Sequence, residues 1–372
     1  MTSIHKFFLL FAAIQVLSNT GLGSDEEFVN LLLEQIKVSE SLYGDLDVTL
    51  TFHHESGPGL LVSKSEDSNF TPVINKQATI WSVSQQGMYR VESNVNRVLG
   101  DGSSRKGDRV KMYDGDTTRV LREDRIVNIT QGYASDKRFV RPHMLLVRRP
   151  FFFMPLSILL SGTDVLRTSR KSEWPSYQSV KYDYRGERIV DELIYHDIWI
   201  TLERNGTQQV RIELSLAKER NLIPAEMVWY QLQISKDQPT ETAKVIDWIE
   251  VESGIWFPGK TELVSYNPIL MKMLKERKVQ WTESYEISEV SVTPRYPIEF
   301  FQKIDIPNGT AVYEVNEDRN ITKSYRKGAL SDTGSQNRSL LTSPLIILNL
   351  VIICLLCAWL VLKKKFKRHQ KP

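Results

Sequence analysis

The sequence predicts a mainly β fold with a few helices, an α+β protein whose strands form one antiparallel meander that curls or closes. Three observations predict it. Apolar and polar residues alternate in short runs, turns containing Gly or Asn separate the runs at short intervals, and no helices alternate with them as βαβ units would require. About ten strands in one sheet do not stay flat, so the meander is expected to curl or close. The chain of 372 residues is 41% apolar and 10% aromatic, a globular composition.

Lys6 precedes an apolar run from Phe7 to Leu17, and Gly21-Leu22-Gly23 supplies small residues before a cleavage point. Residues 1–23 therefore read as a secretory signal, too short to cross a bilayer of roughly 30 Å hydrocarbon thickness. The translocated domain, 24–328, opens with Ser24-Asp25-Glu26-Glu27, a capping box, and Phe28, Leu31, Leu32 and Ile36 then recur at helical spacing until Gly44. Leu46 to His53 is the first strand, ended by Gly57-Pro58-Gly59. Strand pairs flank Gln86-Gly87 and Asp114-Gly115-Asp116-Thr117, and further hairpin tips are expected at Arg185-Gly186-Glu187 and Asn205-Gly206. Val210, Ile212, Leu214 and Leu216 alternate strictly with polar residues; Val228, Tyr230, Leu232 and Ile234 do so except at Trp229. Strands resume at 243–252, 255–266 and 278–292, with a short amphipathic helix from Ile269 to Glu276 between the last two.

One segment breaks this rhythm. Pro142 to Leu166 is rich in Met, Leu and Phe, and Pro155 followed by Leu156 to Ser161 and Gly162 fits a short helix. It reads either as a cap on the core or as an adaptable apolar lid, because Met and Phe tolerate varied ligand shapes. Residues 329–343 are polar and read as a stalk. Residues 344–362 are almost wholly apolar and are followed by a basic tail, 363–372, so one transmembrane helix is expected with its tail on the cytoplasmic side.

The net charge is +3, but Lys6 and the six basic residues after Leu362 carry seven positive charges, leaving the rest near −4. A basic surface for nucleic acid is thereby excluded as the meaning of the charge. Cys354 and Cys357 both fall in the apolar span, so the translocated domain can form no disulfide. That favours a bacterial envelope over a eukaryotic extracellular domain, although acceptor sequons at Asn69, Asn128, Asn205, Asn308, Asn320 and Asn337 pull the other way, those at Asn205 and Asn308 reading equally as plain Asn-Gly turns.

No catalytic motif is present. Gly254 to Thr261 spells a phosphate-binding loop, but strands are expected on both sides where a helix must follow. His53-His54-Glu55 places its histidines on opposite faces of a strand, so no metal site is expected and no cofactor is called for. Trp81, Tyr89, Trp199, Trp229, Trp248, Trp256 and Trp281 fall on separate strands. They serve either a packed core or an apolar cleft on the concave face. The ligand-binding candidates are Phe151, Phe152, Phe153, Met154 and Leu159 in the lid, with Trp199, Trp229, Trp248, Trp256 and Trp281 on strands.

A helix followed by a long meander resembles the LolA/LolB-like family of bacterial lipoprotein-sorting proteins, especially its membrane-tethered relatives. Leu31-Leu-Leu-Glu-Gln-Ile-Lys with Ser41-Leu-Tyr-Gly-Asp, Met112-Tyr-Asp-Gly-Asp, Val245-Ile-Asp-Trp with Gly254-Ile-Trp-Phe-Pro-Gly-Lys, and Phe300-Phe with Ile306-Pro-Asn-Gly-Thr carry the resemblance. It implies an unclosed antiparallel half-barrel, covered by helices, that holds a lipid or lipoprotein acyl chain. The expected C-terminal span departs from the soluble carrier, and the missing lipidation cysteine departs from the lipoprotein acceptor. The expectation is a single-pass envelope protein, not an enzyme, that binds an apolar ligand. The alternative is a sensing or interaction protein whose β-domain engages an envelope protein partner.

Overall fold

The computed structural model describes residues 25–60, 72–122, 126–131, 140–146, 155–161, 179–316 and 320–328. The chain divides into two compact units, Met1–Lys327 and Gly328–Pro372. The expected signal, the capping Ser24, the stalk, the span and the tail all lie outside the described residues. Among the described residues no helix is long and apolar enough to cross a membrane.

The first unit is one open sheet. Fifteen strands are described: β1 (Leu46–Ser56), β2 (Val73–Gln85), β3 (Met88–Leu99), β4 (Ser104–Tyr113), β5 (Thr117–Arg122), β6 (Ile126–Gln131), β7 (Ser179–Val190), β8 (Leu193–Arg204), β9 (Thr207–Ala217), β10 (Ile223–Gln231), β11 (Glu241–Glu252), β12 (Ile255–Tyr266), β13 (Val279–Ser291), β14 (Ala311–Val315) and β15 (Ile321–Arg326). Their order across the sheet is β15-β14-β6-β5-β4-β3-β2-β1-β13-β12-β11-β10-β9-β8-β7. The meander is therefore interrupted twice. β1 sits between β2 and β13, and β14 joins β6 in parallel, the one departure from antiparallel pairing among the described strands. β7 and β15 stand at the two edges, so the sheet is unclosed as expected.

Several turns follow their local chemistry. Gln86-Gly87 and Asn205-Gly206 both take two consecutive left-handed residues, the I′ geometry that joins β2 to β3 and β8 to β9. Arg185-Gly186-Glu187 is not a hairpin tip. Gly186 adopts φ 103° at a bulge inside β7, and the turn forms five residues later at Asp191-Glu192, with φ of 48° and 66°. Gly186 signalled a bulge, which uses the same left-handed freedom as a turn. The alternation read at Val228 and Tyr230 also points the other way: Met227 and Trp229 are buried in the core, and β10 ends at Gln231 before Leu232 and Ile234. Pairing with β9 and β11 on both sides sets which face turns inward, and that is tertiary information.

Helix α1 (Asp25–Ser41) lays Phe28, Leu32 and Ile36 into the concave face, followed by Tyr43 just past its end. The 3-10 turn Pro142–Leu145 and helix α2 (Leu156–Ser161) pack beside it. Together they cover the inner face of β1 and β8–β13, where Leu50, Phe52, Ile200, Ile212, Trp229 and Phe257 form one continuous core. Helix α3 (Pro268–Met273) links β12 to β13, and α4 (Glu299–Gln302) crosses the outer face of β3 and β4. Helical cover is thus partial, and the inner face of β3–β6 carries none of these helices.

Candidate functional site

Residues opposite one another on antiparallel strands share a face. The file Leu50, Ile80, Ser93, Arg109, Arg122 therefore runs across the inner face from β1 to β5, and Phe52, Ala78, Val95, Gly107 runs beside it. The next file toward one end of the strands is His54, Lys76, Arg97, Arg105. The concave face consequently changes character at β2. On one side it is apolar and packed against α1. On the other it carries Lys76, Arg97, Arg105, Arg109, Lys111 and Arg122, and the strand positions of that inner face from β2 to β6 include no Asp or Glu among the described residues.

Some of these cations are held against rings. Lys76 Nζ lies 4.8 Å from the Phe52 ring centroid and Lys111 Nζ 5.2 Å from that of Tyr89, placements worth about 0.5–1 kcal/mol each at exposed sites. At the seam, Ile80, Val95 and Trp281 are half-buried. His54 Nδ1 lies 3.0 Å from a Glu283 carboxylate oxygen, and the His54 and Trp281 rings are 5.8 Å apart.

At the opposite end of the strands a cavity of about 30 Å³ is lined by Ile36, Glu40, Tyr43, Arg141, His143, Asn221 and Ile223, among others. It has room for water but not for an acyl chain. Its walls are rigid. Asn221, in the left-handed region at φ 57°, donates to Gly254 O at 2.9 Å and accepts from Trp256 N at 2.7 Å. The Tyr43 hydroxyl is bonded to both Asn221 Oδ1 and Trp256 O, and Ser39 Oγ donates to Asn221 O. Glu40 accepts from Leu156 N, Ser157 N and Ser157 Oγ, satisfying the first amides of α2. Burial nevertheless raises the Glu40 carboxyl above its ordinary range, because desolvation outweighs those donors and the charge of Arg141.

His196 lies deeper, on the inner face of β8, only 1% exposed. Its Nδ1 is 3.1 Å from the Tyr184 hydroxyl and 3.5 Å from Glu187, which also takes Lys218 at 3.1 Å. Desolvation lowers the imidazole from 6.5 to about 4 despite Glu187. His143 is likewise buried, whereas His53 is exposed on the face opposite His54.

The candidate residues scatter. Phe151, Phe152, Phe153 and Met154 lie outside the described residues; Leu159 falls within α2, its side chain outside them. Trp229 is buried in the inner core and Trp281 is half-buried at the seam. Trp199 points outward between Arg185 and Arg211, Trp256 carries Arg220 over its ring, and Trp248 packs in a small outer cluster with Tyr195 and Ala225. The structure thus brings two of the five tryptophans to the concave face. The cationic files were not singled out from sequence, because the register that aligns Lys76 with Arg97 and Arg105 depends on hairpin pairing. The period-2 placement of Arg105, Arg109 and Lys111 on one strand was the available signal.

The sequence matches no family model and no curated protein. Among solved structures the chain is similar to a DUF1329 family protein from Desulfovibrio piger, at 12% identity and TM-score 0.36, covering 73% of this chain and 96% of that one. It is also similar to a putative outer membrane lipoprotein-sorting protein domain from Vibrio parahaemolyticus, at 10% identity, TM-score 0.32, and 70% and 91% coverage. A third is a LolA superfamily protein from Nitrosomonas europaea, at 10% identity, TM-score 0.33, and 74% and 97% coverage.

Proposed function

We propose that this chain is a binding protein of the cell envelope, anchored by residues 344–362, whose half-barrel takes a lipid or a lipoprotein acyl chain as an amphiphile rather than acting as an enzyme. The observation that supports it is the seam at β1–β3. There half-buried Ile80 and Val95 share a face with Lys76 and Arg97, and Trp281 of neighbouring β13 lies against His54, so apolar and polar surface meet within one concavity. The full chain, extracted in a neutral detergent, is expected to carry lipid-mass adducts in native mass spectrometry. A fluorescent fatty-acid probe should lose affinity about ten-fold or more in Val95→Asp, since a charge in a dry contact opposes closure on an acyl chain. Wild-type protein that carries no adduct and binds no probe would overturn this reading.

The small size of the cavity beside Asn221 favours a second reading, an interaction protein whose concavity is filled by its own side chains. In that case co-purification would recover a protein partner and no lipid.

A further inference from the structure

We infer that one end of the half-barrel, the end carrying α3, is a docking surface for an anionic bilayer. Four hydrogen-bonded connections define this end. Gly57 N and Gly59 N bind β13 at Gln280 O and Val279 O, Gly100 N binds Pro72 O, and Asn267 N binds Lys278 O. The exit of β1, the start of β2, the β3–β4 turn and α3 therefore lie together.

Helix α3 there presents what a soluble surface ordinarily hides. Ile269, Met273 and Leu274 are 54%, 74% and 59% exposed, and Lys272, Lys275 and Arg277 are exposed among them. Large apolar side chains interleaved with basic ones are the composition of segments that lie in a membrane interface. The platform is fixed. Asn267 accepts from Ile269 N and Leu270 N, donates to Gly59 O at 2.7 Å, and Met271 anchors the helix from beneath at 2% exposure. Glu276 pairs with Lys278 at 2.7 Å, and Arg277 stacks on Tyr266 with its charge kept, so Lys272, Lys275 and Arg277 set the local charge.

Further observations choose the partner. The file Lys76, Arg97, Arg105 opens at this same end and adds three positive charges to those of α3. In the β3–β4 turn, Asp101 accepts from Ser103 N and Oγ and also feels the charge of Arg105, so it offsets part of this file. The turns at the opposite end carry Asp45, Asp114, Asp116, Asp191, Glu192 and Glu252, with Lys218 and Arg220 beside Glu219 between β9 and β10. A surface bearing anionic headgroups attracts the basic side chains of the first end and meets carboxylates at several turns of the second. Finally, β15 runs antiparallel to β14, which runs parallel to β6, so Arg326 and Lys327 leave the sheet at the α3 end. The chain departs toward residues 344–362 from the end that carries the exposed apolar side chains. A tether makes the contact intramolecular, so modest affinity suffices.

The inference rests on the anchored reading and is tested apart from it. Full-length chain with Cys354→Ser and Cys357→Ser is labelled with a fluorophore at Met273→Cys or, as the opposite-end control, at Asp116→Cys, and placed in nanodiscs. Nitroxide lipids should quench the residue 273 label in discs containing phosphatidylglycerol, less in phosphatidylcholine alone or in high salt, and should leave the residue 116 label bright. Lys272→Glu with Lys275→Glu should weaken the quenched state at least ten-fold, since each basic side chain near an anionic surface is worth about a factor of five. Equal quenching of the two labels, or quenching indifferent to lipid charge, would overturn the docking surface. If the chain fails to enter discs, the anchored reading falls instead, and flotation with phosphatidylglycerol vesicles decides docking: co-flotation supports it and its absence overturns it. Equal binding to heparin and to vesicles would also overturn it, as a polyanion site.

Discussion

The two halves of the concave face are built from the same strand geometry and spend it differently. Across β1 and β8–β13 the inner face packs under α1, α2 and the 3-10 turn, with a core that includes Leu50, Phe52, Ile200, Ile212, Trp229 and Phe257. Across β3–β6 no described helix covers the inner face, and Arg97, Arg105, Arg109, Lys111 and Arg122 stand there among Val91, Val95 and Val120. The comparison teaches that stability resides in the covered half and surface chemistry in the open one. Substitutions of similar size should therefore behave very differently on either side of β2.

The largest effect is expected in the covered half. Phe257 is fully buried and touches Tyr43 edge-on at 6.2 Å. Phe257→Ala should lower unfolding stability by about 3–5 kcal/mol, read as a shift in the urea midpoint of the full chain in neutral detergent. A shift below about 1 kcal/mol would mean that the core tolerates the cavity and the two halves are not so distinct.

His196 gives the next effect and a pH signature. It protonates near 4 when folded and near 6.5 when unfolded. Its contribution is complete above 6.5 and lost as pH falls through that window to about 4, by roughly 3 kcal/mol. His196→Asn should flatten the dependence of the urea midpoint on pH between those values. Glu40 acts in the opposite sense. Its folded carboxyl titrates above the ordinary 4.5, so the desolvation penalty is absent below that value and present once pH exceeds the raised folded value. Glu40→Gln should remove a decline in stability just above pH 4.5 while α2 stays in place, visible as unchanged protection of the Leu156 and Ser157 amides in hydrogen exchange.

The smallest effect sharpens the contrast. Arg97→Glu on the open half replaces a repulsive file with an attractive one beside Lys76 and Arg105. It should leave stability unchanged or raise it by about 0.5 kcal/mol, and the gain should shrink in high salt. A loss of 2 kcal/mol or more would show that the cations are structural, and the comparison would collapse.

Local chemistry made much of this fold readable. The helix beginning near residue 25, the I′ turns at Gln86-Gly87 and Asn205-Gly206, α3 after Pro268 and the last three long strands all follow from residues adjacent in sequence. What could not be read depends on partners far along the chain. The place of β1 between β2 and β13, the parallel junction of β14 with β6, and the inward turn of Met227 and Trp229 in place of Val228 and Tyr230 are decided by pairing. The same reason separates the tryptophans: Trp199 and Trp256 are as apolar as Trp229, yet pleat position turns them toward Arg211 and Arg220.

The position of β1 also constrains the order of events during synthesis. Asp47 pairs with Ser291 and Ser56 with Trp281, so a strand made first lies beside one made more than two hundred residues later. The array β2–β6 can assemble on β1 as soon as it emerges, through neighbouring hairpins of low contact order. The other flank of β1 must wait, with Val48, Leu50 and Phe52 lacking their β13 neighbours, until residues 279–291 have been made. A protein built this way passes through a half-sheet whose central strand is paired on one side only, the stage at which a chaperone has most to offer.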